Sequence, residues 1–238
     1  MSFINPYAAN LGGGFDPFFS SVVQLAHFDG SNGGTSPFPN SCPRGNTITS
    51  STGAVLSTTQ VKFGTTSVRI GSSLQNVKAA SHADYGFGAG DWCIEWWQRL
   101  DSLTLDFNAA KVFFDMRPSA LTNGVYPTIY SDNAAGNLNV SVNGTVRIAA
   151  PNGSLTAAVF QLITVAKVSG TLRAFVSGTQ VGSSFTDSLT YVASGFFLGS
   201  AGNGGAGSLG YYDDLRITNG AGRYSGNFTP DATPFPNL

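Results

Sequence analysis

Carboxylates are the side chains of this protein most able to do chemistry, because two facing carboxyl groups are the usual machinery of glycoside hydrolysis. One acts as nucleophile or base and the other as acid, so both must reach the same substrate. Glu95 is the only glutamate in the 238 residues. Its neighbours on the same face of a predicted strand are Cys93 and Trp97, since side chains alternate along a strand. No second acid shares that face, so the sequence disfavours a glycosidase.

Nucleophilic catalysis is also poorly supported. A serine or cysteine nucleophile needs a base, usually histidine. The chain has two histidines, His27 and His82, and lacks the Gly-x-Ser-x-Gly turn that would expose a serine. Cys42 and Cys93 belong to no metal-binding cysteine pattern, and a disulfide between them is left open. We interpret both histidines as structural or surface residues and predict that the protein is not an enzyme.

Charge is sparse and evenly mixed. The chain has 12 basic and 13 acidic residues, a net charge of -1 and 11% charged residues, against roughly 25% in ordinary globular proteins. No basic stripe is available to neutralise phosphates, so nucleic acid is not a predicted partner. No apolar run approaches the roughly 20 residues of a membrane span, so a membrane is not predicted either.

The elements that position these residues have the two-residue period of β-strands. Trp92 and Trp96 share one face of a strand predicted around 91–99, where burial in a core is expected. Asn143-Gly144 and Ser169-Gly170 each join two alternating apolar segments and predict hairpins. Apolar residues do not recur at helical spacing, so the pattern predicts an all-β sandwich or jelly roll with minimal helix.

The sequence also predicts the structure of two polar or proline-rich segments, and it leaves two roles open for five aromatic side chains. Residues 30–53 are rich in Gly, Ser, Pro and Asn and predict a long surface loop, too polar to be core. Residues 227–236 predict an extended, proline-rich strap. Either a core or a ligand role fits Trp97 and four tyrosines, Tyr126, Tyr130, Tyr211 and Tyr212.

Residues 1–20 differ from the rest of the chain in combining glycine, proline and aromatic residues without strand alternation. We predict an N-terminal arm at 1–20 and one β-sandwich domain at 21–238. The arm either becomes ordered against a partner or packs as a strap on its own domain, and both alternatives fit its composition. The candidate attachment residues are Phe3, Tyr7, Phe15, Phe18 and Phe19.

Four segments, in order and at sensible spacing, resemble the concanavalin A-like lectin/glucanase superfamily, in the laminin-G-like version common in phage virion proteins. They are Leu25–Gly30 (LAHFDG), Lys62–Ile70 (KFGTTSVRI), Phe87–Trp97 (FGAGDWCIEWW) and the ending Tyr212–Gly220 (YDDLRITNG), which runs on to Pro230. Together they reach from residue 21 to the C-terminus. The resemblance implies a concanavalin A-like jelly-roll β-sandwich of two antiparallel sheets.

The same resemblance implies a structural calcium site, because related sandwiches use an acid near the first strand and acids near the last. Asp29 and the pair Asp213-Asp214 occupy those places. Adjacent residues on a strand face opposite ways, so only one of the pair can join Asp29, and we select Asp214. The alternative is that these carboxylates accept turn N–H groups or pair with Arg216 or Arg223. No other cofactor is expected.

These features predict a non-enzymatic phage virion protein, assembled in the host cytoplasm and located in the virion. The favoured role is a capsid decoration protein that displays its lectin-like jelly roll and attaches to other virion proteins, of capsid or tail, through residues 1–20. The alternative is a tail-associated adhesin that binds host surface glycans. The apolar arm also predicts a homo-oligomer, specifically a trimer.

Overall fold

The computed structural model describes residues 14–238 except positions 43, 45, 52, 106–109, 120–123 and 203–204. Within these residues, helix is confined to two three-residue 3-10 turns, Phe19–Ser21 and Ala83–Tyr85. The strands are β1 Val22–Ala26, β2 Ile48–Ser51, β3 Val55–Ser57, β4 Ser67–Ile70, β5 Asn76–His82, β6 Trp92–Leu100, β7 Lys111–Asp115, β8 Pro127–Ser131, β9 Asn139–Val142, β10 Thr145–Ala149, β11 Gln161–Val168, β12 Thr171–Val176, β13 Thr179–Thr186, β14 Ser194–Leu198 and β15 Gly210–Asn219. None of the described helical turns has the length or apolarity to cross a membrane.

The strands form two antiparallel sheets that pack face to face. The eight-stranded sheet has the order β13-β12-β11-β6-β15-β4-β3, and β1 pairs with the second half of β15. The seven-stranded sheet has the order β10-β9-β8-β7-β14-β5-β2. Sequential strands alternate between the sheets at several points, as expected of a jelly roll. The predicted all-β sandwich of two antiparallel sheets is confirmed.

Aromatic stacking between the sheets fills the core. Trp96 of β6 stacks on Phe114 of β7 with ring centroids 5.5 Å apart, and Phe114 stacks on Phe196 of β14 at 5.3 Å. Trp92 is also fully buried in this core. The core positions predicted for Trp92 and Trp96 are therefore confirmed, and burying each phenylalanine of the stack contributes roughly 1.5–3 kcal/mol.

Both predicted hairpins are present. At Asn143-Gly144, between β9 and β10, the φ angles are +53° and +69°. At Ser169-Gly170, between β11 and β12, they are +49° and +71°. Two successive positive φ angles define the type I′ turn, whose twist matches that of the flanking strands. Local turn chemistry was therefore a reliable guide in these two places.

The sequence pattern did not predict the other strands, namely β2, β5, β7, β8 and β13. The prediction that residues 30–53 are entirely a polar surface loop is wrong at two places. Ile48 begins β2, and Phe38 packs edge-to-face on Phe28 with centroids 5.7 Å apart; both Phe38 and Ile48 are buried. A strand of four residues is too short to reveal a two-residue period, so its pairing with β5 was visible only in the fold.

The outer face of the eight-stranded sheet is covered by both ends of the described chain. Trp97 lies there with Phe235 of the predicted strap, and Phe228 of that strap packs beside Phe175. Cys42 and Cys93 are free thiols in two separate apolar clusters of this face. The strap at 227–236 therefore closes one side of the sandwich, and Trp97 is a packed residue beneath it.

Candidate functional site

A pocket lies on the outer face of the seven-stranded sheet, over β7, β8 and β9. Ile129 and Val140 of these strands point into the core, so their alternating neighbours point outward. The cavity volume is about 240 Å³, below the roughly 300–1,000 Å³ of pockets for drug-sized ligands. The lining includes Val112, Arg117, Tyr126, Thr128, Tyr130 and Ser141.

The lining residue Arg117 forms an ion pair with Asp115. Arg117 donates from Nε to Oδ1 of Asp115 and from Nη2 to Oδ2, both at 2.9 Å. The fully buried Asp115 also accepts hydrogen bonds from the Arg117 N–H, the Thr128 hydroxyl and the Gly202 N–H. A bidentate pair of this kind fixes the plane of the guanidinium. Arg117 is therefore held in place while a quarter of its side chain (25%) stays exposed.

Two half-buried tyrosines, Tyr126 and Tyr130, line the same pocket. Burial raises the pKa of Tyr130 above its ordinary value, the negative charge of Asp132 raises it further, and Arg117 acts in the opposite direction. The sequence left open whether these two tyrosines have a core role or a ligand role. The structure places both at the pocket, whereas Tyr212 is fully buried and Tyr211 lies against Arg69 on the other sheet.

Paired carboxylates for hydrolysis are not found among the described residues that line the pocket. Asp115 is engaged by several donors beneath the surface. Glu95 lies on the outer face of the opposite sheet, where its carboxylate accepts from Arg216 at 2.9 Å and from the Tyr224 hydroxyl at 3.1 Å. The geometry offers no support for a glycosidase mechanism, and the lack of enzymatic activity stays a prediction.

A buried charge cluster holds the described part of the N-terminal arm on the body. Asp16 accepts hydrogen bonds from Arg216 at 3.0 Å and from both Nη1 and Nη2 of Arg223, at 2.9 and 2.6 Å. Burial raises the pKa of the Asp16 carboxyl, but the hydrogen bond and charge of Arg223 and the charge of Arg216 outweigh it, so this pKa lies below its ordinary value. The N–H of Asp16 donates to the carbonyl of Leu238 at 2.7 Å.

The five candidate attachment residues fall into three groups. Phe3 and Tyr7 lie outside the described residues. Phe18 lies beside the Arg223 guanidinium, 5.4 Å from ring centroid to Cζ, and Phe19 packs in the apolar cluster of Trp97. Phe15 is 69% exposed. Asp16, Phe18 and Phe19 thus contact the domain, as in the strap alternative, whereas Phe15 is exposed, and the attachment role stays a prediction.

The two predicted calcium ligands have other partners in the structure. Asp214 Oδ1 lies 2.5 Å from Nδ1 of His27, and Asp214 Oδ2 accepts from the N–H of Phe235 at 2.8 Å. Asp29 Oδ1 accepts from the N–H and the hydroxyl of Thr65, at 2.6 and 3.1 Å. Both oxygens of Asp214 are therefore occupied, and Asp29 fits the alternative in which it accepts a turn N–H group.

Asp213 is the acid of the last strand with an unsatisfied atom. Its Oδ2 accepts from the N–H groups of Lys62 and Phe63, at 2.9 and 3.1 Å, while its buried Oδ1 has no hydrogen-bond partner among the described residues. Burial raises the pKa of Asp213 to about 8, and the nearby charges of Asp214 and Asp29 add to this. A cation would satisfy the buried Oδ1 of Asp213, and the choice of Asp214 as a calcium ligand stays a prediction.

Calcium needs about six to eight oxygen ligands. Across the part of the chain that the structure describes, no group of three or more His, Cys, Asp or Glu side chains is placed to hold a metal. Carboxylates alone therefore do not complete a site here, and the predicted structural calcium stays a prediction.

Sequence reasoning missed Arg117 and Asp115 as site residues. Their signal was weak: the segment 111–115 is a short apolar run with a charge at each end, and Arg117 follows it by two residues. Thr128 and Tyr130 alternate with Ile129, which is a strand pattern over too few residues to stand out. The pairing of β7 with β8 brings these residues together.

Comparison with protein families gives one match. A family model described as the concanavalin A-like lectin/glucanases superfamily (Laminin_G_3) matches residues 63–222, which is most of the chain. No curated protein matches the chain in sequence.

Solved structures share the fold at low sequence identity. Domain 4 of AbnA, a GH43 extracellular arabinanase from Geobacillus stearothermophilus solved with arabinotriose, has a TM-score of 0.62 and 12% identity, over 84% of this chain and 93% of that one. The binding domain of Paraclostridial Mosquitocidal Protein 1 has a TM-score of 0.64 and 14% identity, over 86% and 50%. Trypanosoma rangeli sialidase has a TM-score of 0.61 and 10% identity, over 84% and 31%. This chain thus spans half of the toxin domain and less than a third of the sialidase.

Proposed function

The chain belongs to the concanavalin A-like lectin/glucanase superfamily, and from this premise we propose that it is a non-enzymatic, lectin-like domain whose pocket on the seven-stranded sheet binds a glycan. The observation that carries the proposal is the pocket itself, in which two tyrosines stand beside a guanidinium fixed by Asp115. Aromatic rings stack against the apolar faces of sugars, and arginine N–H groups donate to their hydroxyls.

The similar structures add support of a general kind. The arabinanase domain was solved with arabinotriose, and the mosquitocidal protein domain is a binding domain. At 12% and 14% identity these likenesses extend to the fold and not to particular residues. The pocket of this chain therefore has to be tested on its own residues.

Both described ends of the chain lie on the face opposite the pocket. Asp16 and Leu238 are hydrogen-bonded to each other at the outer face of the eight-stranded sheet, and the pocket opens on the outer face of the seven-stranded sheet. A domain attached through either end would present its pocket away from the attachment point. This polarity suits a displayed binding domain on a particle, and we propose the phage virion as its location.

A glycan array tests the binding proposal. Wild type is expected to bind at least one glycan, and Tyr130→Ala is expected to lose about tenfold or more in affinity because the stacking surface is removed. Val192→Ala is the control, since Val192 is 46% exposed and is not among the residues that line the pocket. Equal binding by all three proteins would place the sugar elsewhere, and a blank array with wild type would refute the proposal.

Capsid decoration through the N-terminal arm is the second candidate, favoured by the anchoring of residues 14–20 on the face away from the pocket. A deletion of 1–20 would also remove Asp16 from its buried arginines, so a deletion of 1–13 is the cleaner variant. Full-length chain is expected to co-sediment stoichiometrically with purified capsid lattice, and the shorter chain is expected to remain in solution. If neither sediments, the head assignment fails and a tail location takes its place.

Oligomerisation is tested separately, because the predicted trimer rests on the apolar arm alone. Analytical ultracentrifugation of the full chain is expected to give a trimer, and the chain lacking residues 1–13 is expected to give a monomer. A monomer in both cases would remove the oligomer from the proposal and leave glycan binding unaffected.

A further inference from the structure

We infer that the ligand of this pocket is an uncharged glycan, built of neutral hexose or pentose units, and not a sialylated, uronic or sulfated one. This inference rests on the proposed function and specifies the ligand class of the same site. It follows from the balance of charge around the pocket, in which carboxylates of the described residues offset the guanidinium of Arg117.

The first carboxylate lies directly behind the guanidinium. Asp115 binds Nε and Nη2 of Arg117 at 2.9 Å each and is fully buried, so water screens its charge only weakly. An incoming anion would face Arg117 with Asp115 immediately beneath it. The Coulomb attraction would therefore be small, while the cost of removing the anion from water would remain.

The second carboxylate stands beside the pocket. Asp132 follows the end of β8, it is exposed, and its negative charge raises the pKa of the pocket tyrosine Tyr130 together with burial. Lys111, the basic residue of β7, is buried and faces the opposite side of that strand from the pocket residue Val112. Among the described residues around the pocket, Arg117 and Lys111 are matched by Asp115 and Asp132, so no net positive charge attracts an anionic sugar.

A neutral sugar meets none of these obstacles. Its hydroxyls both donate and accept, so they can pair with the N–H groups of Arg117 and the half-buried hydroxyl of Ser141 without any compensating charge. The rings of Tyr126 and Tyr130 offer apolar surface to the C–H face of a sugar ring. The sparse charge of the whole chain, 11% of its residues, points the same way.

The test compares two sets of immobilised polysaccharides with the full-length chain. The neutral set is dextran, mannan, galactan and arabinan; the acidic set is polygalacturonate, polysialic acid and dextran sulfate. Binding is measured by biolayer interferometry at about 0.05 M and about 0.5 M sodium chloride, which shortens the screening length several-fold. We expect binding to at least one neutral polysaccharide and a change of less than about twofold with salt.

Asp132→Asn sharpens the result, because it removes one negative charge at an exposed position and leaves the rings in place. For a neutral ligand its affinity should stay within about twofold of wild type, whereas for an acidic ligand it should rise several-fold. Tyr130→Ala serves as the pocket control and should lose about tenfold in affinity in either case.

The possible failures are distinguishable. Binding confined to the acidic set, weakened about tenfold by salt and strengthened in Asp132→Asn, would overturn the inference and leave glycan binding standing. Neutral binding that Tyr130→Ala does not weaken would overturn the inference for this pocket. No binding to either set would overturn the proposed function, and the inference with it.

Discussion

The two outer faces of this sandwich use the same chemistry for different ends. On the eight-stranded sheet, Glu95 and Asp16 pair with Arg216 and Arg223, and the terminal segments cover all four. On the seven-stranded sheet, one carboxylate pairs with one guanidinium, and the arginine remains partly open to solvent in a pocket. On each face, the charges of these paired residues sum to about zero.

Burial beneath the terminal segments distinguishes the structural ion pairs of the covered face from the ion pair at the proposed binding site. A buried pair adds little net stability because desolvation offsets its attraction, but removing one partner strands a charge without water. An arginine whose side chain is a quarter exposed remains accessible to a ligand. The comparison therefore predicts that substitutions on the covered face reduce stability and leave binding intact, and that substitutions on the open face do the reverse.

Glu95→Gln should have the largest effect on the free energy of unfolding. The substitution removes the charge that faces Arg216 at 2.8 Å in the centre of β6, and the free energy of unfolding should fall by roughly 3–5 kcal/mol. Urea denaturation measures this, with Asp132→Asn as an exposed control expected to stay within about 0.5 kcal/mol of wild type. A loss below about 1 kcal/mol for Glu95→Gln would mean that the charge cluster does not hold the covered face.

Acid should weaken the covered face through Asp16. Because its folded-state pKa lies below the ordinary value of 3.8, Asp16 contributes stability above that value, and this contribution is lost as the pH falls through the lowered pKa. Between about pH 5 and pH 2, Tm should therefore fall more steeply with decreasing pH for wild type than for Asp16→Asn. Parallel curves of Tm against pH for the two proteins would mean that Asp16 does not cause the loss of stability in acid.

Calcium should have a smaller effect. If the resemblance to calcium-binding sandwiches holds, about 1 mM calcium raises Tm by a few degrees and EDTA reverses the shift. The unsatisfied Oδ1 of Asp213 and the occupied oxygens of Asp214 predict that Asp213→Asn abolishes the shift and Asp214→Asn retains it. The opposite pattern would support Asp214 as the ligand, and no shift in wild type would exclude a structural ion.

Tyr130→Ala should have the smallest effect on stability, within about 1 kcal/mol, because the ring is half-exposed on the open face. Its effect on glycan binding should be large, as described above. Urea denaturation of the variant decides between the two roles of the ring. If the free energy of unfolding falls by more than about 2 kcal/mol, Tyr130 is a packing residue and the two faces do not differ as proposed.

Much of the eight-stranded sheet was predictable from sequence. The alternation of Trp92 and Trp96 in β6 and the turn residues Ser169-Gly170 carry their signal within a few neighbouring positions. In the seven-stranded sheet, only the edge hairpin at Asn143-Gly144 has a signal of this kind. The centre of the seven-stranded sheet was not predicted, because β7 and β8 are five residues each, too short for a two-residue period to stand out. The pocket depends on those two strands, so it was missed with them.

The choice among the acids was decided by tertiary structure. The sequence placed Asp29, Asp213 and Asp214 near the first and last strands, but it did not determine which oxygens are occupied. The irregular pairing of β15 with β6 between Asp213 and Arg216, where Asp214 has a φ of +49°, turns Asp214 toward His27 and leaves Asp213 facing the 62–65 turn. An irregularity of this kind has no local sequence signature.

By itself the sequence determined the fold class, the absence of a second acid beside Glu95, and the core positions of its tryptophans, because strand alternation and composition are properties of neighbouring residues. Only the tertiary structure decided that Asp16 lies between Arg216 and Arg223, and that Arg117 meets two tyrosines over Asp115. Those contacts join strands and segments far apart in the chain. Their formation depends on strand order and register, which follow from packing the whole core.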